Sequence, residues 1–310
     1  MNRIFVLICA MCLVAPRVAS AVTINWLPVG NPGNAADLDI FGDTYGAVGY
    51  GYSIDKYDVT NAQYVDFLNA KDPTGANLLG LAGGTAISFA SNAAVGNRYS
   101  TFDPNGPVNS VSWYSAARFA NWLSNGQGNS STETGAYTLI GGTPIPSNGL
   151  TVSRNAGTHV FIPSRDEWYK AAYFNPATSS YFLFPTSSNT QPTAIAPPGG
   201  PNSGNYHGAV GHPTDVGAYT ATTSPIGAFD MGGDVAQWNE AIVTSQQRRA
   251  TFGGSFAETA QQSGSGSSLN PQVGNPDIGF RVVMAPEPSS AVLAALGFAL
   301  AAWGWRRKRA

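Results

Sequence analysis

The chain has 310 residues, with 16 lysines and arginines against 18 aspartates and glutamates and a formal net charge of −2. This length accommodates one large domain or two small ones. Six of the cations lie at positions 3, 17 and 306–309, so the region between the two ends has a net charge of about −7 to −8. Such an acidic region excludes the cation-rich class of nucleic-acid-binding proteins, because that binding depends on an excess of positive charge.

The first 21 residues have the pattern of a secretory signal peptide. Arg3 precedes an apolar run, and Ala19 and Ala21 form an A-x-A cleavage site. We predict cleavage after Ala21, with a buried N-terminal helix as the alternative. The two cysteines of the chain, Cys9 and Cys12, both lie in this segment. The processed protein would therefore have no disulfide, no thiolate metal site and no cysteine nucleophile.

Three short helices are predicted in residues 22–284, a region with no evident linker or repeat that we interpret as one domain. Thr60 with Gln63, and Ser164 with Glu167, have the spacing of a capping box, and Ser112 is a third N-cap. Each helix has an apolar face. The core-facing residues would be Tyr64, Phe67 and Leu68 in the first helix, Trp113, Ala116, Ala120 and Leu123 in the second, and Trp168, Ala171 and Ala172 in the third.

Predicted strands are short and widely separated. They lie near Tyr52–Tyr57, Thr158–Ile162, Arg249–Phe252 and Gly279–Val283. Long stretches rich in glycine, serine, threonine, asparagine and proline connect them, at 74–106, 124–157 and 174–225. Loops of this length in a compact domain are usually functional or packed by their own side chains. The fold class is therefore α+β with much irregular structure.

Six sequence blocks resemble a known family. They read "IDKYDVTNAQYVDFLNA", "PVNSVSWYSAARFANWL", "IPSRDEWYKAAYF", "FDMGGDVAQWNE", "FGGSF" and "DIGFRVV". Their order is similar to that in formylglycine-generating (sulfatase-modifying factor) enzymes, and the resemblance spans roughly residues 48–284. It implies the formylglycine-generating-enzyme fold, which is related to C-type lectins and has few regular elements.

The resemblance does not extend to the family's catalytic residues. It implies an oxidase whose copper is bound by two cysteines between the "GGSF" and "GFR" blocks, yet this interval contains none here. Serine cannot replace a thiolate as a soft ligand for cuprous ion, so we predict no copper and no formylglycine generation. The ergothioneine-type sulfoxide synthases add a histidine-rich helical domain. This chain has only His159, His207 and His212, which disfavours that branch.

The segment "DMGGDVAQW" aligns with a calcium-binding segment of the family. Carried over by position, the side-chain oxygens of Asp230 and Gln237 and the carbonyls of Gly233 and Val235 would be the ligands of a structural calcium ion. Gln237 stands where the family usually has glutamate, which removes one negative charge. Asp234 replaces the usual asparagine and could partly restore it.

A structural interpretation of the same segment stays open. In it the glycines form a tight turn, Trp238 packs in the core, and Asp230 caps a neighbouring loop. The resemblance also implies a second cation site that begins at Asn205 and the carbonyl of Tyr206, whose further ligands cannot be placed in the shorter loop here.

Four other polar residues are interpreted as structural or solvent-facing. His207 and His212, five residues apart in a glycine-rich loop, lack a specific metal-ligand spacing and are expected to face solvent. Arg281 is expected to form bidentate bonds with a carboxylate and to fix the C-terminal strand against the third helix, which carries Glu167.

The C-terminal segment 285–310 resembles a PEP-CTERM sorting tail. It contains a Pro-Glu-Pro, an apolar stretch from Ala291 to Trp305, and a basic cluster at 306–309. The resemblance implies an exosortase-type sorting protease as a partner, and membrane attachment by this segment before processing. The apolar stretch is shorter than the roughly 20 residues of a typical spanning helix, and an ordinary tail anchor is the alternative. Both place the protein outside the cytoplasm, at the envelope or cell surface.

Together these features predict an exported, surface-associated domain with a non-catalytic binding or structural role, its ligand a polysaccharide or another envelope component. The alternative is a metal-dependent oxidoreductase of the same family that uses chemistry without cysteine. Aromatic residues in or near the loops are candidates for ligand contact, although packing in the core or in a loop is the favoured role of each. They are Tyr99, Trp113, Tyr181 and Tyr206.

Overall fold

The computed structural model describes residues 21–39, 42–263 and 265–285. The predicted signal peptide and sorting tail thus lie outside the described residues, except for Ala21 and Ala285. In the described ranges, no helix has both the length and the apolar character needed to cross a bilayer. The apolar stretch 291–305 falls beyond those ranges.

The three predicted helices are confirmed, together with their caps. The Thr60 hydroxyl accepts a hydrogen bond from the Gln63 amide at 3.3 Å, while the Gln63 side chain accepts one from the Thr60 amide at 2.8 Å. Ser164 and Glu167 form the same reciprocal pair, at 3.2 and 2.6 Å, and Ser112 caps the second helix. The helices are α1 (Asn61–Lys71), α2 (Trp113–Ser124) and α3 (Arg165–Tyr173).

Short strands and two 3₁₀ turns, Gly149–Thr151 and Thr244–Gln246, make up the remaining regular structure. In chain order the strands are β1 (Trp26–Val29), β2 (Asp37–Leu38), β3 (Thr44–Tyr45), β4 (Tyr52–Asp55), β5 (Ile87–Phe89), β6 (Tyr99–Thr101), β7 (Val160–Phe161), β8 (Phe174–Asn175), β9 (Ser180–Tyr181), β10 (Thr193–Ala194), β11 (Ser203–Gly204), β12 (Ala236–Val243), β13 (Arg248–Phe252), β14 (Gly266–Leu269), β15 (Ile278–Gly279) and β16 (Val283–Met284).

Two four-stranded sheets organise the domain. The first has the order β1-β4-β16-β7 and is antiparallel throughout, so that Val283 near the end of the described chain lies opposite Ile54 near its start. The second has the order β14-β13-β12-β15, in which only the β12–β15 pair is parallel. The result is the mixed α+β architecture that the sequence predicts.

Three predicted strands correspond to β4, β7 and β13, but the prediction of one strand over Gly279–Val283 is wrong. Residues 278–279 belong to the second sheet and residues 283–284 to the first, with Phe280–Val282 crossing between them. During this crossing the Phe280 carbonyl accepts a hydrogen bond from Val59 at 3.0 Å, and Arg281 is fully buried. A single apolar pattern thus covers two strands that serve different sheets.

The sequence does not predict β12, the eight-residue strand over Ala236–Val243. Its first four residues are all buried, including the polar Gln237 and Asn239. Alternation of apolar and polar residues is the signal by which a half-buried strand is recognised. A strand that buries both faces and carries amides in the core lacks that signal.

Aromatic rings form much of the core. Between α1 and α2 the rings of Tyr64 and Phe119 stack with centroids 5.9 Å apart, and Phe67 meets Phe119 edge-on at 5.4 Å. Trp168 of α3 stacks on Phe252 of β13 at 5.2 Å. The predicted apolar faces are buried, with Leu123 only partly so. Such offset and edge-to-face pairs add to the free energy of area burial.

Most of the aromatic residues that were considered for ligand contact are packed inside the domain. Tyr99, Trp113 and Tyr206 are each at most 5% exposed, so the preferred packing role is confirmed for these three, and they are not available for ligand contact. The Trp113 indole donates to the Asn239 carbonyl at 3.0 Å. Tyr181 is half-buried, and its hydroxyl donates to the Ala35 carbonyl at 2.9 Å.

Candidate functional site

The loop that enters β12 has the turn geometry of the structural interpretation. Asp230 and Gly233 have φ angles of +54° and +80°, and a Cβ on Gly233 would lie 2.7 Å from the Asn205 carbonyl oxygen. Trp238 is fully buried and donates to the Val111 carbonyl at 3.0 Å. The Asp230 carboxylate caps a neighbouring loop, accepting a hydrogen bond at 2.6 Å from the amide of residue 217.

Gln237 links this loop to the core. Its side-chain oxygen accepts hydrogen bonds from the Trp168 indole at 2.6 Å and from Nε of Arg281 at 2.7 Å, while its nitrogen donates to the Asp230 carbonyl at 2.7 Å. Two N–H donors thus already occupy the oxygen that was assigned to calcium. The ligand role of Gln237 stays a prediction, and it would require this amide to leave both donors.

Arg281 is structural, but its carboxylate partner is Asp58. The two side chains are both fully buried and form an ion pair at 3.3 Å. The guanidinium also donates to the carbonyls of Asp55 and Phe229, at 3.0 and 2.9 Å. Contact with α3 runs through Gln237, since the same oxygen accepts from Trp168. Arg281 therefore links its own segment to the segments at residues 55–58, Phe229 and Gln237. Glu167 has a different partner, Arg154.

The two cation segments implied by the resemblance lie side by side. The Asp234 amide donates to the Asn205 carbonyl at 3.0 Å, and the Asn205 side-chain amide donates to Oδ1 of Asp234 at 2.9 Å. Oδ1 of Asp234 also accepts from the amide and hydroxyl of Thr214, at 2.7 and 3.1 Å. Oδ2 of Asp234 and Oδ1 of Asn205 are buried without any hydrogen-bond partner.

These residues line a small internal cavity. Asn205, Asp230 and Asp234 surround about 20 Å³ of space together with loop residues from 185–186, 203–204 and 219–232. A water molecule requires roughly 10–15 Å³ of such space. The cavity can therefore hold one species of the size of a water molecule or a small ion, and two of its lining residues have a side-chain oxygen without a hydrogen-bond donor among the described residues.

Burial keeps the carboxyl groups at this cavity hard to ionise. Burial raises the pKa of Asp230 to about 6, although the Gly217 amide and the Arg281 charge oppose this shift. Burial and then the negative charge of Asp230 raise the pKa of Asp234 to about 7, against the hydrogen bonds from Thr214 and Asn205. A cation in the cavity would offset both the desolvation and the mutual repulsion.

The donor set suits a hard cation only in part. Asp230, Asp234 and Asn205 supply oxygens of the kind that calcium prefers. The Tyr206 carbonyl accepts from the amide of residue 209 at 2.9 Å, and Val235 is fully buried. Within the described ranges, no three histidine, cysteine, aspartate or glutamate side chains are close enough to hold a metal ion together. A site here would rest on two carboxylates supplemented by amide and carbonyl oxygens.

A second ionic cluster lies beside α3. The Arg154 guanidinium forms bidentate pairs with Glu167, at 2.9 and 2.7 Å, and with Glu240, at 3.0 and 2.8 Å. Tyr50 donates to Glu167 and Tyr137 to Glu240, both at 2.6 Å. The cluster joins α3 and β12 through one arginine. Sequence reasoning missed it because Arg154 lies in a long loop with no local pattern to mark its partners.

The interval in which the family has its copper-binding cysteines lines a cleft of about 190 Å³. Its ionisable groups are Glu258 and Asp277. Burial and the charge of Asp277 raise the pKa of Glu258, while the Ser255 amide lowers it. The remaining lining consists of hydroxyl, amide and aliphatic groups. The predicted solvent-facing positions of His207 and His212 are confirmed, since both are exposed.

Comparison with known proteins identifies the family. The model for the sulfatase-modifying factor enzyme 1-like domain matches residues 44–286, so the chain belongs to this family. The PEP-CTERM protein-sorting motif matches residues 285–309. This motif supports an exported, envelope-directed protein that an exosortase recognises for sorting.

Two solved structures share the fold. CarF is 20% identical, with a TM-score of 0.56, and the match covers 85% of this chain and 99% of CarF. Treponema denticola variable protein 1 is 18% identical, with a TM-score of 0.55, and the match covers 86% of this chain and 97% of that one. At this identity the likeness establishes the fold alone. A search of curated proteins gave no significant match.

Proposed function

We propose that the domain is a non-catalytic binding or structural module of this family at the cell envelope. The observation that carries the proposal is the cleft formed by residues 251–278, where Glu258, Asp277 and neutral polar groups stand in the interval of the copper-binding cysteines. Cuprous ion requires soft ligands, which carboxylates and hydroxyls do not provide. The sorting motif supports delivery to the envelope, where the C-terminal segment would hold the chain in the membrane before exosortase-type processing.

The direct test is an aldehyde assay. The purified full-length protein is incubated with cuprous ion, oxygen and a sulfatase-derived cysteine peptide, and the peptide mass is followed. We expect no conversion of cysteine to formylglycine under conditions in which an authentic formylglycine-generating enzyme converts the peptide. Aldehyde formation would refute the proposal, and stoichiometric copper or iron in the purified protein would favour the oxidoreductase alternative.

We further propose that calcium stabilises the loops around Asp230 and Asp234. The support is the cavity of about 20 Å³ with its two partnerless oxygens, in an exported domain that has no cysteine for disulfides. An ion there would connect the 205–206 and 230–234 segments. By mass action, an ion that binds only the folded state raises its stability.

Thermal melting in calcium and in chelator tests this second proposal. Calcium at 100 times its Kd should add about 2.7 kcal/mol, and Asp230→Ala should abolish the increase. Asp215→Ala is the matched control, because it removes an exposed carboxylate from the same loop region. Identical melting curves of the unsubstituted protein with calcium and with chelator would refute calcium binding without affecting the binding-module proposal.

A further inference from the structure

A groove lies on one face of the second sheet, away from the cavity described above, and it borders the cleft at Ser267 and Ser268. Its volume is about 410 Å³, within the range of small-molecule sites. Polar and aromatic side chains dominate its wall. The residues that carry the argument are Tyr45, Arg165, Arg248, Phe252 and Ser268.

Small residues create the floor of this groove. Side chains alternate between the faces of a strand, so Arg248, Ala250 and Phe252 of β13 share the face that lines the groove. On β14, Ser268 lies opposite Ala250, and Gly266 lies opposite Phe252. A Cβ on Gly266 would meet the Phe252 ring at 2.8 Å. Only glycine at position 266 allows the Phe252 ring to keep its position. The small side chains of Ala250 and Ser268 leave space above the floor of the groove.

Two guanidinium groups border the groove without a carboxylate partner. Arg165 contacts the Tyr45 hydroxyl at 3.4 Å and lies 5.0 Å from the centre of its ring, while its buried Nε has no hydrogen-bond partner. Arg248 is exposed and donates to the Ser268 carbonyl at 3.1 Å. Among the described residues, neither arginine has a carboxylate oxygen within 4.0 Å.

Ion pairing divides the seven arginines of the described residues into two groups. Arg118, Arg154 and Arg281 each form an ion pair. Arg98 and Arg249 donate to carbonyl oxygens instead, whereas Arg165 and Arg248 both border one groove. An acidic residue lies beside this groove, since Asp43 accepts a hydrogen bond from the Tyr45 hydroxyl at 3.0 Å.

We propose that this groove binds a saccharide that carries a carboxylate, such as a uronic-acid unit. A planar guanidinium recognises a carboxylate through two parallel hydrogen bonds, and the Ser268 hydroxyl and the Tyr45 ring suit the polar and apolar faces of a sugar. The inference rests on the binding-module proposal and names the class of its ligand.

Calorimetric titration of the full-length protein with oligogalacturonate tests the inference. Arg165→Gln and Arg248→Gln should each weaken binding at least tenfold, and Arg248→Lys should weaken it less, because lysine retains the charge but not the fork. Arg98→Gln is the matched control, since Arg98 lies outside the groove and bonds only to the carbonyls of residues 74 and 93. A neutral galactan oligomer of equal length and inorganic phosphate serve as comparison ligands.

Three results would overturn the inference. They are tighter binding of the neutral oligomer, binding of phosphate alone, and oligogalacturonate binding that neither groove variant weakens more than Arg98→Gln does. Arg248 is exposed, so its variant should fold even if Arg165→Gln does not, and melting curves check both. If oligogalacturonate fails to bind while a glycan array shows another ligand, the groove assignment fails and the binding-module proposal stands.

Discussion

Two clusters of buried carboxylates in this domain each contain a group, Glu167 in one and Asp234 in the other, whose pKa values are shifted in opposite directions. At Glu167, burial raises the pKa, but the hydrogen bonds and charge of Arg154 outweigh it, so that the net pKa lies below its usual value. At Asp234, burial and the charge of Asp230 raise the pKa to about 7. The cluster at Glu167 contains the cation of Arg154. Among the described residues, no cation lies at hydrogen-bonding distance from Asp230 or Asp234 in the other cluster.

The difference follows from where each cluster lies. Glu167 and Glu240 are on α3 and β12, elements that the core fixes, and one guanidinium reaches both carboxylates. Asp230 and Asp234 are left-handed residues of a loop, which places the Asp234 carboxylate beside the Asn205 amide and the Asp230 carboxylate beside the Gly217 amide. A buried carboxylate is stable when paired and costly when alone. The loop cluster is therefore the part of the domain whose stability should depend on solution conditions.

The largest expected effect comes from breaking the compensated cluster. Arg154→Ala leaves two buried carboxylates without a counter-charge, which should cost about 3–5 kcal/mol of unfolding free energy. Urea unfolding measures this loss. Arg98→Ala, which removes a guanidinium bonded only to carbonyls, should cost much less. A loss below about 1 kcal/mol for Arg154→Ala would show that the cluster is not a structural centre.

The second prediction tests the packing of the loop cluster. Gly233→Ala combines a φ of +80° with a Cβ placed 2.7 Å from the Asn205 carbonyl, and should cost about 2–4 kcal/mol. Gly211→Ala has a φ of +86° but no atom near its added Cβ, so only about 1–2 kcal/mol of backbone strain applies. Thermal melting compares them, and equal losses would show that the close approach to Asn205 is unimportant.

The third prediction concerns pH. The folded-state pKa values of Asp230 and Asp234, about 6 and about 7, lie above the ordinary value of 3.8. Between about pH 4 and 7 the folded state thus binds more protons than the unfolded state, and stability should fall as pH rises through this window. In chelator, we expect a loss of at least about 1 kcal/mol from these groups.

Asp234→Asn sharpens this pH test. The substitution removes one of the titrating groups, so the pH dependence in chelator should flatten. Part of the slope remains, because burial also raises the pKa values of Asp230, Asp55 and Asp58, with Arg281 opposing each shift. The same variant should lose the stabilisation by calcium. Melting curves from pH 5 to 8 that are superimposable for variant and unsubstituted protein would contradict the assignment.

The smallest expected effect concerns the helix cap beside the compensated cluster. Ser164→Ala removes the hydroxyl that accepts from the Glu167 amide at 3.2 Å, which should cost about 1 kcal/mol. The ion pairs of Glu167 stay in place, so the effect should be additive with Asp234→Asn in the distant loop cluster. Double-variant urea unfolding checks this, and strong coupling would show that the clusters are not independent.

Local patterns in the sequence predicted a large part of the fold. Helix caps and apolar stripes depend on residues three or four positions apart, so Thr60, Ser112 and Ser164 marked their helices correctly. Strand prediction failed where the alternating pattern is absent or where one apolar run contributes to two strands. Buried amide side chains interrupt the alternating pattern in β12, and the run at 278–284 contributes to two different sheets. Six ordered motif blocks indicated the family before any contact was known.

The sequence by itself determined the helices, the family and the lack of any cysteine after Cys12, because these depend on residue identity and short-range spacing. Only the tertiary structure decided which partner each buried charge has. It paired Arg281 with Asp58, gave Arg154 two glutamates, and placed Asn205 against Asp234. These partners are far apart in the chain, and the free energy of a buried charge depends on what surrounds it in space.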